Sequence, residues 1–298
     1  MSALQHLKSG DLSKALAALQ NDVRNNPADP KLRVFLFQLY AVVGESDRAL
    51  NQLNVLRDLS KESLTLAQTY QEALQCESFR EEVFESRRTP LLFGEPEEWV
   101  AMLVSALQQA SNLPASSQLR GLAFEKAAAV PGRITFYPQT QSARDAAASE
   151  SMESSDEHRS EPSDGNRSVG FEWLADADSR LGPVFEAIIH GKYYWVPMNR
   201  VRSVTFERVT DLRDLVWLPA KFEWTNGGEV VAFVPTRYAK SSKSSDDAIR
   251  LARTTAWTEV DEDTYFGTGL RLLATDQGEY PMTDIAQITF LHPNEDSQ

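Results

Sequence analysis

Asp176 and Asp178 stand one residue apart in FEWLADADSRLGP (171–183), with Arg180 following. Such a carboxylate pair can hold Mg²⁺ or Mn²⁺ beside a substrate phosphate, as in a metal-dependent enzyme, but that site needs further oxygen ligands and a basic anchor for the anion. A calcium loop of the EF-hand type is excluded. Arg180 takes its fifth position, Gly182 comes one residue late, and Ala187 stands where the bidentate Glu belongs. The competing reading is architectural: one carboxylate caps a helix beginning near Pro183, or pairs with Arg180 to fix a corner between domains. With no companion ligands recognisable, architecture is the stronger of the two.

Other residue types offer less. The four histidines, His6, His158, His190 and His292, fall in separate stretches with no metal-ligand spacing, and Cys76 is a lone thiol in a helical pattern, suited to packing. No GxSxG, P-loop, GxGxxG or HExxH occurs, so no catalytic residue, metal centre or cofactor is expected. Aromatics are a better lead. Trp195, Trp217, Trp224 and Trp257, with Tyr193, Tyr194 and Tyr238, crowd the C-terminal half, either as an exposed docking surface or as core filling of a β domain.

The elements that must position these residues fall into two kinds. A chain of 298 residues, 42% hydrophobic, has room for two domains with cores of their own. Its formal net charge of -13 repels phosphate backbones, so nucleic acid is not an expected partner. No run approaches the roughly 20 apolar residues of a membrane span, and the start lacks an apolar leader, which points to a cytoplasmic protein away from the membrane. Over the first 130 residues apolar positions recur at helical spacing, as in Leu12, Leu16 and Leu19, then Leu32, Phe35, Leu36, Leu39 and Tyr40. GDLSKAL (10–16) returns as GESDRAL (44–50), so Gly10 aligns with Gly44 and Ala15 with Ala49 at the tetratricopeptide period of 34. A third, degenerate copy puts Ser78 and Val83 at those positions. Two more helices, near 96–111 and 115–129, cap the array before Pro131-Gly132.

The expected fold is therefore α+β in two domains. Residues 1–132 form a tetratricopeptide-like helical array, and 133–169, polar and acidic around 137–168, read as a disordered insertion or linker. Residues 170–298 form a small mixed or antiparallel sheet, or partly open barrel, with one or two helices, near 183–190 and 246–252. Strands are expected at 192–197, 201–209, 214–224, 229–238, 254–260, 269–276 and 284–291, with a hairpin at Asn226-Gly227-Gly228.

With these features assembled, the chain resembles the ImpE/TagJ family, accessory proteins of bacterial type VI secretion. The resemblance rests on FEWLADADSRLGPVFEAIIHGKYYWVP (171–197), DLRDLVWLPAKFEWTNGGEVVAFVPTRY (211–238) and GLRLLATDQGEYPMTDI (269–285). Tetratricopeptide-like helices preceding these blocks match the family; the long polar segment at about 134–168 departs from it. The resemblance implies a non-enzymatic adaptor that holds a helical segment of the small contractile-sheath subunit and is linked to the AAA+ ATPase that disassembles the sheath. If its groove works as in other tetratricopeptide arrays, the first helix of each repeat lines it, with Val34, Gln38, Ala41 and Val42 from one and Gln68, Glu72 and Gln75 from the next. On that view residues 1–130 fold alone and capture the partner. Asp176, Asp178 and Arg180 then mark the junction where the β domain begins.

Overall fold

The computed structural model describes residues 2–59, 61–138 and 167–292. Its first half is a row of helices, each packed on the next in sequence: α1 (Ala3–Lys8), α2 (Leu12–Asn25), α3 (Pro30–Val43), α4 (Ser46–Leu59) and α5 (Leu64–Phe84). α6 (Glu98–Gln108) and α7 (Leu113–Lys126) form a further pair. Several of the helices are started by local chemistry. Asp11 accepts from the Lys14 N–H, Asp29 from the N–H groups of Lys31 and Leu32 with Pro30 behind it, and Asn112 from the Ala115 N–H. α2 and α4 each bury one stripe, Leu12, Ala15, Leu19 and Val23 on the one and Ala49, Leu53 and Leu56 on the other, whereas α3 is buried all round from Leu36 to Val43.

The internal repeat is real at its two fair copies. Gly10 and Gly44 share φ = +79°, and in each case the next N–H reaches back five residues, Asp11 to His6 and Glu45 to Tyr40, which closes the helix end. Ala15 and Ala49 have no exposed surface, as close helix approach requires. The third copy makes no turn, because Ser78 and Val83 lie within the unbroken α5.

The second half is built on a nine-stranded sheet in the order β1-β6-β5-β9-β8-β7-β14-β2-β3. Its strands are β1 (Leu91–Leu92), β2 (Gly132–Phe136), β3 (Ser168–Phe171), β5 (Val184–Ile189), β6 (Lys192–Pro197), β7 (Val201–Phe206), β8 (Trp217–Trp224), β9 (Glu229–Pro235) and β14 (Ile285–Phe290). Every pairing is antiparallel except β1 with β6. A three-stranded sheet joins β4 (Leu174–Asp176), β12 (Leu272–Thr275) and β13 (Gly278–Pro281), and β10 (Thr255–Asp261) with β11 (Thr264–Gly269) makes a separate hairpin. The short helix α8 (Asp247–Arg250) precedes that hairpin.

Two expectations are corrected. Residues 183–190 are not a helix but strand β5, which turns back into β6 through His190 and Gly191, with φ of +48° and +69°. Positive φ at both central residues is the two-residue turn that matches strand twist. Consequently no helix begins at Pro183 for an Asp to cap. The linker expected at 133–169 is also too wide, since β2 and β3 take both of its ends and pair with each other, Thr135 opposite Ser168. The polar stretch 139–166 lies outside the described residues.

β5 explains how the halves join. All six of its residues are buried, because both faces of the sheet are covered. Val184 and Ile188 pack in a core shared with the helices, where Tyr70 of α5 meets Trp217 and Phe233 at ring distances of 5.9 and 5.4 Å. Phe185, Ala187 and Ile189 point into a second core with Phe222, Leu273 and Phe290. The sheet thus packs against α3 and α5, the helices expected to line a peptide groove.

Candidate functional site

Asp176 and Asp178 sit at the centre of a buried ion network rather than at an open site. The chain turns sharply after β4: the Asp176 N–H donates to the Gly182 carbonyl at 2.7 Å, and the Leu181 and Gly182 N–H groups donate back to the Asp178 carbonyl. Within that turn Asp176 Oδ1 accepts from the Asp178 N–H at 2.9 Å, and Oδ2 accepts from Arg271 Nη1. Asp178 Oδ1 takes both the N–H and Nε of Arg180 at 2.8 Å, while its Oδ2 takes Arg180 Nη2 and the Gly267 N–H. All four carboxylate oxygens are engaged by N–H donors, so the pair already holds its cations, and they are guanidinium groups. Among the described residues no cluster of three or more His, Cys, Asp or Glu is arranged to hold a metal ion.

The network runs on into the helices. Arg271 also donates to Glu186 Oε2 and, through Nε, to the Pro235 carbonyl at 2.9 Å. Glu186 in β5 receives a bidentate contact from Arg80 of α5, Nε to Oε1 at 2.6 Å and Nη2 to Oε2 at 2.9 Å, and Tyr193 Oη donates to it as well. Arg80 completes its fork on the Glu77 carboxylate and the Arg237 carbonyl. Two environments then separate two carboxylates. Burial works against the Glu186 anion, but Arg80 and Arg271 overcome it and hold the group down at about 2. Burial wins at Asp176, whose one arginine leaves it lifted to about 6. Arg237 makes no ion pair with a carboxylate among the described residues. It donates to the Val42 carbonyl near the negative end of α3 and to the Arg250 carbonyl at the end of α8, and burial lowers it to about 10.

Arg80, Glu186, Arg237 and Arg271 were missed by the sequence reading. A signal existed: a Glu inside VFEAII and an Arg inside GLRLLAT interrupt apolar runs, and a charge buried there needs a partner. Cys76 is packed under the β5–β6 turn, its S–H donating to the Gly191 carbonyl, and burial pushes the thiol up to about 11. His6 lies in α1, His190 in the turn, and the ring of His292 meets the Val201 carbonyl. His158 falls outside the described residues. Most of the aromatic surface is core: Tyr193, Trp195, Trp217, Trp224 and Tyr238 are buried, Tyr194 is half-buried, and Trp257 alone of this set is exposed.

The expected peptide groove is only partly assembled. Val34 and Gln38 line an open groove of about 690 Å³ between α1, α3 and the short turn Leu212–Leu215. Ala41 and Val42, placed in the same groove by repeat register, are instead buried in the shared core, because the sheet covers that end of α3. Gln68 and Gln75 are exposed elsewhere on α5, and Glu72 lies beside Gly191. A second cleft, of about 430 Å³, runs over Ala175 and Ala274 between Trp173 and Phe124.

Known proteins are similar to this chain in sequence and in fold. The sequence model of the ImpE protein family fits residues 168–289, which contain the Asp176 turn, β5 and Arg271. A type VI secretion system accessory component, TagJ of Pseudomonas aeruginosa, is 42% identical over 292 residues, which cover 97% of this chain and 91% of that protein. A crystal structure of a Vibrio parahaemolyticus protein superimposes with a TM-score of 0.78 over 97% of both chains, at 23% identity, and so shares the fold. With both its halves matched, helical and β alike, the chain belongs to the ImpE/TagJ family.

Proposed function

We propose that the protein is a non-enzymatic accessory component of a bacterial type VI secretion system, a cytoplasmic adaptor that holds a helical segment of the small sheath subunit and is linked to the AAA+ ATPase acting on the sheath. The observation that carries this reading is the 42% identity to the Pseudomonas accessory component along almost the whole of both chains. The groove beside Val34 and Gln38 supports it physically, being apolar, open and bounded by rigid elements, which suits an amphipathic helix. The ionised groups around Asp176 support it too, since they are saturated by one another and leave no free base or metal ligand for a metal-dependent enzyme. Titration calorimetry of the full chain against synthetic helices of the small sheath subunit tests it. Saturable binding at micromolar or lower concentration is expected; absence of heat from every such helix overturns the sheath-adaptor reading.

A further inference from the structure

The groove beside α3 is chemically lopsided. Its floor is apolar, with Leu7, Val34, Phe35 and Leu215, while Lys8, Lys31 and Arg253 stand at its mouth. None of these three cations has a carboxylate partner among the described residues. Among those residues Lys8 and Lys31 make no ion pair, and Arg253 donates only to the Leu7 and Lys8 carbonyls. Asp211, which also lines the groove, is paired with Arg213, a guanidinium that it shares with Asp214. In a chain with a formal net charge of -13, three unpaired cations around one apolar groove form a local exception. At physiological salt, charge beyond about 8 Å is screened, so a docking segment responds to this rim rather than to the net charge.

We propose that the groove between α1, α3 and Leu212–Leu215 takes an acidic amphipathic helix, whose apolar ridge fills the floor and whose flanking carboxylates meet Lys8, Lys31 and Arg253. This rests on the adaptor reading above and sharpens it by naming the partner's chemistry. Three exposed ion pairs of ordinary strength together give about a tenfold gain in affinity, or about 1.4 kcal/mol.

The test uses two synthetic helical peptides of about 18 residues, long enough to fold. They share one leucine ridge and differ in carrying Glu or Lys beside it. The full chain is expected to bind the Glu peptide at least about tenfold more tightly, with affinity falling as salt rises. The double variant Lys8→Glu with Lys31→Glu, which touches only exposed, unpartnered side chains, is expected to reverse the preference. Equal affinity for the two peptides, or a preference that the double variant leaves unchanged, overturns the proposal. Failure here is separable from failure of the adaptor reading. A sheath-subunit helix that binds with no response to salt or to the double variant sinks the acidic-partner inference alone; a Glu peptide that binds as expected while no sheath helix does sinks the sheath reading alone.

Discussion

At the residue scale, the buried network makes stability depend on pH through two carboxylates of opposite sign. Glu186 is depressed from 4.5 to about 2 in the folded chain, so its contribution, about 3 kcal/mol, is present above pH 4.5 and lost as pH falls towards 2. Asp176 is raised from 3.8 to about 6, so it favours the folded state below pH 3.8 and loses that contribution as pH climbs through 6. Denaturant melts across pH 3 to 7 are therefore expected to show Glu186→Gln without the acid limb of the wild type, and Asp176→Asn without the decline between pH 4 and 6. At pH 7, Glu186→Gln is expected to cost about 3 to 5 kcal/mol, because Arg80 and Arg271 lose a buried counter-charge, and Asp176→Asn clearly less. The sequence announced the Asp176, Asp178 and Arg180 turn by its spacing. It did not announce Arg80 or Arg271, since nothing local says which distant charge a buried Glu will meet.

At the element scale, the repeat supplies a matched pair of positions with different surroundings. Gly10 and Gly44 have the same left-handed backbone, which costs a side chain about 1 to 2 kcal/mol. A Cβ on Gly10 would meet the flexible end of Arg253 at 3.4 Å, whereas one on Gly44 would meet Ser242 Cβ at 2.7 Å. Gly44→Ala is thus expected to destabilise by about 1 to 3 kcal/mol more than Gly10→Ala in paired chemical melts, the excess being overpacking against the β half. Period and turn chemistry made these helix ends readable, as they did the Asn226-Gly227-Gly228 hairpin, where the Trp224 N–H closes onto the Gly228 carbonyl. β5 was unreadable for the opposite reason. A strand buried on both faces loses its alternation, and VFEAII then looks like a buried helix; only the His190-Gly191 turn beyond it betrayed a hairpin. β4, at three residues, was too short to carry any period.

At the scale of the whole molecule, the two halves are one folding problem. Tyr70, Phe79 and Phe84 of α5 pack on Trp217, Tyr193 and Trp195 of the sheet, and Arg80 is charged and wholly enclosed. Cutting the chain at 130 would bare those rings and strand that guanidinium, so residues 1–130, expected from sequence to stand alone, are expected to be molten or aggregated by circular dichroism and light scattering. The intact chain is expected to unfold in one step, with tryptophan fluorescence and far-ultraviolet circular dichroism coinciding. Two-part α+β organisation was legible from periodicity, because it depends on local pattern. The packing of the chain's own sheet against α3 and α5 was not, because a repeat alignment gives register and says nothing of what comes to rest there. The pairing of β2 with β3 has a topological consequence: the chain leaves the sheet after Phe136 and re-enters before Ser168 on neighbouring strands, so residues 139–166 join two points already side by side. A chain in which an Asn-Gly turn joins β2 directly to β3 is expected to keep a melting profile of a single step.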